Sequence, residues 1–213
     1  MRLIFLAIIA VQPAFAAAAT QPSSHPIVPA APTAQTGPAV GQTPKATVPT
    51  PEATVTGMKP FQERVKEWVA FRNKVEATVP QLTETSDPAK ISARERALGD
   101  ALIKARGNAR PGEYFVKESQ AVIRQIVKAD LAKRTTAERK ALVVELPKGA
   151  KVAINSLYPT TIPLATFPPN LLKALPDLPP ELEYRIVYRD LILRDVEGNY
   201  VVDIMPEVFP IPK

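Results

Sequence analysis

Leu182-Glu183-Tyr184-Arg185-Ile186-Val187 alternates apolar and polar side chains at period two, the spacing of a strand with one buried face. Tyr188-Arg189-Asp190 interrupts the pattern, and Leu191-Ile192-Leu193-Arg194-Asp195-Val196 follows as a second apolar run. Glu197-Gly198-Asn199 reads as a tight turn in which Gly198 is free to take a positive φ. Tyr200-Val201-Val202-Asp203-Ile204-Met205 then closes a three-stranded antiparallel β-meander over 182–205. A sheet this small needs a covered face, so the fold turns on what the preceding residues supply.

They supply helices first. Over 58–146, Pro60 suits a first-turn position. Phe61, Val65, Trp68, Val75 and Val79 recur at steps of four and three, with Arg72 at the stripe's missing position. Trp68, the only tryptophan, reads as core on that stripe, and Pro80 ends the helix. Asp87-Pro88 is an N-cap followed by a first-turn proline. Ile91, Leu98, Leu102 and Ala105 carry the second stripe, and Gly107-Asn108 stops it. A third helix is predicted from Val116 to Ala132 on Val122, Ile123, Ile126, Val127 and Leu131, and Thr136 is expected to cap a short fourth, Ala137 to Val144.

Residues 147–181 are proline-rich yet keep Leu157, Tyr158, Ile162, Leu164, Phe167, Leu171, Leu172, Leu175 and Leu178, which predicts an extended segment wrapped on the domain rather than a solvated linker. A short strand is expected at Val152 to Asn155 and a short helix at Pro169 to Leu175, and the tail after Pro206 is expected to dock as a strip. The class is therefore α+β: three to four amphipathic helices, a Pro-rich wrapping segment and the meander, in one domain over 58–213.

The N-terminus carries a different message. Met1-Arg2 is a short positive region, Leu3 to Val11 is an unbroken apolar run, and Ala14-Phe15-Ala16 puts small residues where a signal peptidase needs them. This predicts a signal peptide over 1–16 and export to the periplasm or the medium. The run is too short to span a bilayer, which takes about 20 residues. No cysteine follows it for lipid attachment. Residues 17–57 hold eight prolines among alanine and threonine and no aromatic residue, the composition of a disordered tether. Pro26, Pro29 and Pro32 keep polyproline II spacing, and Thr43-Pro44 and Thr50-Pro51 are candidate glycosylation sites.

Of 213 residues, 24 are proline, none is cysteine and one, His25 in the tether, is histidine. Disulfide frameworks, Cys/His metal centres and Ser-His or Cys-His nucleophile systems are excluded from the folded part. There is no GxGxxG, Walker or SxxK pattern. No cofactor is expected. A carboxylate pair needs only two acids facing one substrate, which leaves Asp190, Asp195 and Asp203 of the meander formally open to that chemistry; as acids at strand ends and turns they are expected instead to be caps or partners for Arg185, Arg189 and Arg194.

Charge is uneven. Residues 58–151 hold 20 Lys and Arg against 12 Asp and Glu, whereas 152–213 hold 5 against 8. Lys128, Lys133, Arg134, Arg139 and Lys140 gather around the third and fourth helices and form the candidate surface for an anionic partner, an envelope component or another protein. Arg94, Arg96, Lys104, Arg106 and Arg110 form a second basic group near the second helix. Neither a groove-reading motif nor an Arg/Gly/aromatic repeat is present, and nucleic acid is not an expected partner.

Arg96-Ala97-Leu98 through Arg106, Gly112-Glu113-Tyr114-Phe115, and Leu157-Tyr158-Pro159 to Asp203 resemble a group of exported bacterial proteins of unknown function, most distinctively in Tyr184-Arg185 and Arg189-Asp190-Leu191-Ile192-Leu193-Arg194-Asp195. The resemblance covers about half of the chain and implies secretion and a shared fold, without an activity. Separately, Leu178-Pro179-Pro180, Tyr184-Arg185 and Val201-Val202-Asp203 are similar to the small β-meander of the periplasmic nickel/cobalt-homeostasis family over fewer than 30 residues. With no His or Cys beyond His25, no metal role is carried over. The expected function is that of an exported, non-enzymatic interaction or structural protein. The alternatives are a carboxylate-dependent hydrolase and an assembly module that pairs through the meander edge.

Overall fold

Thr50-Pro51-Glu52 opens the first helix, α1 (Pro51–Glu76), in the computed structural model, which describes residues 48–142 and 151–210. These residues all belong to the second of the chain's two units, 43–213. The expected signal peptide, His25, the tether up to residue 47, the end of the fourth helix and the last three residues lie outside the described residues. Thr50 Oγ1 accepts from the Ala53 N–H at 3.2 Å, Pro51 takes the first turn where its missing N–H is not needed, and Glu52 faces the positive helix end.

This corrects two expectations. Residues 51–57 are helix, not tether, and Pro60 sits inside α1 rather than in its first turn. An interior proline removes one helix hydrogen bond. Packing outweighs that loss here: Met58 and Phe61 are buried beside it, and Gly57 admits Val122 of the third helix so closely that an added Cβ would lie 2.4 Å from Val122 Cγ2. The stripe is buried as expected at Phe61, Val65, Trp68, Arg72 and Val75, but the helix ends at Glu76 rather than at Pro80, and Val79 is buried in the turn that follows.

Helices α2 (Pro88–Arg106), α3 (Lys117–Leu131) and α4 (Thr136–Leu142) follow. Asp87 Oδ1 accepts from the Ala89 N–H at 2.9 Å, and Gly107 ends α2 at φ 63°, where a side chain would be strained. Ile91 and Ala105 of the expected α2 stripe face outward; Gly99 takes the buried place instead. The cap of α4 is Thr135 rather than Thr136: its N–H donates to Glu138 Oε2 at 2.7 Å and its Oγ1 accepts from the Glu138 N–H at 3.3 Å, a capping box.

The Pro-rich segment yields a two-residue strand, β1 (Ala165–Thr166), and a single helical turn, α5 (Pro169–Leu172). The meander is β2 (Leu182–Val187), β3 (Asp190–Asp195) and β4 (Tyr200–Met205), and β1 makes it a four-stranded antiparallel sheet in the order β1-β2-β3-β4. Tyr188 takes the positive φ of the first turn and Asn199 that of the second, so Gly198 is not needed for conformation. It is needed for proximity. A Cβ on Gly99 of α2 would lie 2.5 Å from Gly198 O and 2.2 Å from Leu157 Cδ2, so the helix backbone rests on the turn itself. Gly99→Ala is therefore expected to lower the unfolding free energy by about 1–3 kcal/mol through overpacking, although alanine is the better helix former by about 1 kcal/mol. Urea unfolding reads this directly, and a variant as stable as the parent contradicts the seam.

Both sheet faces are covered. Tyr184, Ile186, Leu191, Leu193, Tyr200 and Val202 face the helices and join Phe61, Trp68 and Leu102 in one core. Phe61 stacks on Phe115 at 5.5 Å between centroids, and Trp68 stacks on Tyr200 at 5.4 Å. Val187, Ile192 and Val201 face the opposite way and bury against Tyr158 and Ile162 of the wrap. Leu164 and Leu172 of the wrap stay exposed. The strand expected at 152–155 is displaced: Asn155 donates to Val201 O at 3.0 Å, Leu157 bridges Tyr200, and Tyr158 donates to Asn199 O at 2.7 Å. The tail after Met205 docks through buried Val208 and Phe209, with the Phe209 N–H on Arg189 O at 3.0 Å.

Candidate functional site

The three meander aspartates do not converge. Asp195 is buried beneath α1, where its Oδ2 accepts Arg72 Nε at 2.9 Å and its Oδ1 accepts the Gly198 N–H at 2.8 Å. A register shift in β4 opposite Leu193 and Arg194 leaves Val202 as the extra residue and re-aims Asp203. Asp203 then accepts the N–H groups of Gly112, Tyr114 and Phe115 at 2.9–3.0 Å, and that of Ile204 at 2.8 Å. Asp190 accepts the Glu207 N–H at 2.9 Å. The three acids accept backbone N–H groups as the expected caps do, while the expected arginine partners are different: Arg185 and Arg194 pair with Glu183, and Arg189 with Glu207. Each acid proposed for carboxylate chemistry thus holds two pieces of chain together. Burial pushes the carboxyl groups of Asp195 and Asp203 above their ordinary range, against the opposing pull of Arg72 on the first and of the amide N–H groups on the second. Among the described residues no group of three or more His, Cys, Asp or Glu is placed to hold a metal ion.

Two arginines join helices to sheet. Arg72, 2% exposed, binds Asp195, Glu76 at 2.6 Å and Glu197. Burial alone lowers its pKa, and the three carboxylates outweigh that, so it stays above the usual arginine value. Arg106 of the second basic group donates to Val202 O at 2.5 Å and Tyr200 Oη at 3.1 Å, pairs with Glu113 at 2.6 Å, and lies over the rings of Trp68 and Tyr114. It belongs to the interior and not to a basic patch.

The five basic residues proposed for an anionic partner fall in the last turn of α3, the turn after it, and α4. Lys128, Lys133 and Lys140 are exposed and have no carboxylate partner among the described residues. Lys128 also faces the negative end of α3. Arg134 is tied to Asp130 at 2.5 Å, and Arg139 Nε donates to Arg134 O at 3.1 Å. Three of the five are therefore open to a ligand, and two are partly held by their own turn.

Lys133 stands on a groove of about 590 Å³ formed by the start of α1, the end of α3, and α5. Ile126, Ala129 and Leu171 form a buried apolar floor. Val48 and Val55, 56% and 68% exposed, line it from the α1 side. Lys133 and Lys173 bring two ammonium groups to it, with Asp130, which Arg134 holds, as the one acid among the described residues. Sequence reasoning missed Lys173, Val48 and Val55. Lys173 is the one cation between Val152 and Arg185, but nothing local says that α5 packs beside α3. Val48 and Val55 were hidden by the proline-rich composition around them.

The meander edges, expected as a pairing surface, are partly occupied by the chain itself. β1 covers β2 at Arg185 and Ile186, and residues 155–158 cover the start of β4. No helix of the described residues is long and apolar enough to cross a membrane. No family model matches the chain, and neither the curated proteins nor the solved structures include a match to it.

Proposed function

We propose that the chain is an exported, non-enzymatic binding module whose α1–α3–α5 groove takes an anionic amphiphile, a lipid with an acidic headgroup. The observation that carries this reading is the pairing, in one groove, of exposed Val48 and Val55 over an apolar floor with Lys133 and Lys173. An exposed apolar surface with a charged rim suits a ligand that is greasy at one end and charged at the other. Lys128 and Lys140 extend the positive field beyond the groove. Export is supported by Arg2, the Leu3–Val11 run and Ala14-Phe15-Ala16, and places such a module where envelope lipids are within reach.

Calorimetric titration of the full chain with monomeric lysophosphatidylglycerol, and with lysophosphatidylcholine as the neutral-headgroup control, tests the reading. Wild type is expected to prefer the glycerol headgroup, with affinity falling as salt rises. Each lysine near an anionic headgroup is worth about 1 kcal/mol, so Lys133→Glu with Lys173→Glu is expected to weaken binding about tenfold or more. Equal affinity for the two headgroups, or an unchanged double variant, removes the proposal.

A further inference from the structure

We propose that a second groove, near the C-terminal end of α1, docks a basic polypeptide segment of a partner protein. Three of the large apolar side chains that are exposed among the described residues meet there: Leu82 at 40%, Ile91 at 45% and Val196 at 38%. With buried Leu98 they line a cleft of about 450 Å³ between α1, the start of α2 and the β3–β4 turn. Single exposed apolar residues are ordinary, whereas a cluster in one concavity with a polar rim marks a contact surface.

The rim has the opposite sign to the helical half that surrounds it. Glu76, Glu95 and Glu197 line the cleft, with Asp195 behind them, and among the described residues only Arg72 and Arg94 answer these four carboxylates. Glu76 is shared by Arg72 at 2.6 Å and Arg94 at 2.9 Å. Glu95 has no cationic partner among the described residues, and Glu197, paired to Arg72, remains 63% exposed at its side chain. A cation is therefore favoured at Glu95 and Glu197, in a protein whose formal net charge of +6 disfavours cations elsewhere.

The lining selects a peptide over a small amine. Leu82, Ile91 and Val196 offer apolar surface beside the acids Glu95 and Glu197. A polypeptide brings a Lys or Arg side chain for Glu95 and Glu197 and apolar neighbours for Leu82, Ile91 and Val196. A polyamine brings only the cation.

The test uses the full chain and a fluorescein-labelled synthetic peptide of alternating Lys and Leu, read by anisotropy. Wild type is expected to bind it in a salt-sensitive manner, and a matched Glu/Leu peptide is expected not to bind. Glu95→Lys, which breaks no ion pair, is expected to weaken binding about tenfold or more. Ile91→Ser, an exposed position that leaves all charges in place, is expected to weaken it several-fold. Lys133→Glu with Lys173→Glu, in the other groove, is expected not to weaken it. Absent binding to wild type, unchanged affinity in both cleft variants, or equal binding of the acidic peptide overturns the proposal. Self-association of the chain that Glu95→Lys abolishes also overturns it, because the occupant is then a second copy.

Discussion

Arg72→Leu is expected to lower the unfolding free energy by about 3–5 kcal/mol, the cost of leaving a buried charge without its partner. Leucine suits the apolar stripe between Trp68 and Val75 and does not harm the helix, so the loss is electrostatic. Asp195 is fully buried and its only cation among the described residues is Arg72, whereas Glu76 keeps Arg94 and Glu197 turns to water. The sign with pH follows. Burial already holds the Asp195 carboxyl above its ordinary range, and removing Arg72 raises it further. A raised carboxyl destabilises the folded state where it is charged, and that penalty fades as pH falls through its folded pKa toward the ordinary value near ~4. The deficit of Arg72→Leu relative to wild type is therefore expected to be full at neutral pH and to narrow in acid. Urea unfolding as a function of pH measures both parts, and a deficit that grows on acidification contradicts the assignment.

Asp203→Ala is expected to be comparably severe. It strips the acceptor from the N–H groups of Gly112, Tyr114 and Phe115, which belong to the connection between α2 and α3. A buried donor left unsatisfied costs about 1–3 kcal/mol, and the three together are expected to total about 3–5 kcal/mol after relaxation lets water reach some of them. Asp203→Asn keeps a single acceptor oxygen and turns an amide NH₂ toward the remaining donors, so it is expected to fall between wild type and the alanine variant. Amide hydrogen exchange separates this from a general loss of stability: protection at Tyr114 and Phe115 is expected to fall first. Uniform loss across the sheet, with those amides unaffected, contradicts the role.

Much of this architecture is legible before any coordinates. The period-two run at 182–187, the Asp87-Pro88 start and the Gly107 stop are local signals, and each stands where local physics puts it. The exceptions are places where a long-range contact overrides a local preference. Thr50-Pro51-Glu52 is a sound helix start that the surrounding prolines conceal, and Pro60 looks like a helix beginning because its interior cost is visible in the sequence while its compensation by Gly57 and Val122 is not. Gly198 is read from its dihedral freedom, when the demand comes from Gly99, 99 positions earlier in the chain. Arg72 announces itself as a break in an apolar stripe, but its partners at 195 and 197 are beyond any periodicity.

The candidate surface is legible only in outline. Composition shows that the helical half is basic; it does not show that Arg106 points inward, that Arg134 is held by Asp130, or that Lys173 joins Lys133 across a groove. The physical division is simple. Buried Arg72, Asp195 and Asp203 and the largely buried side chain of Arg106 tie helices and loops to the sheet, and surface lysines and glutamates stand beside exposed apolar side chains in two grooves of opposite sign.

The coupling between Arg72 and Asp195, measured in a double-mutant cycle of Arg72→Leu and Asp195→Asn by urea unfolding, tests that division most directly. If the pair is architectural, the double variant buries no unpaired charge and recovers part of what Arg72→Leu loses, so its cost falls well below the sum of the two single costs. Additive costs, or an Asp195→Asn variant more stable than wild type as a functional acid held at the expense of stability would be, contradict it.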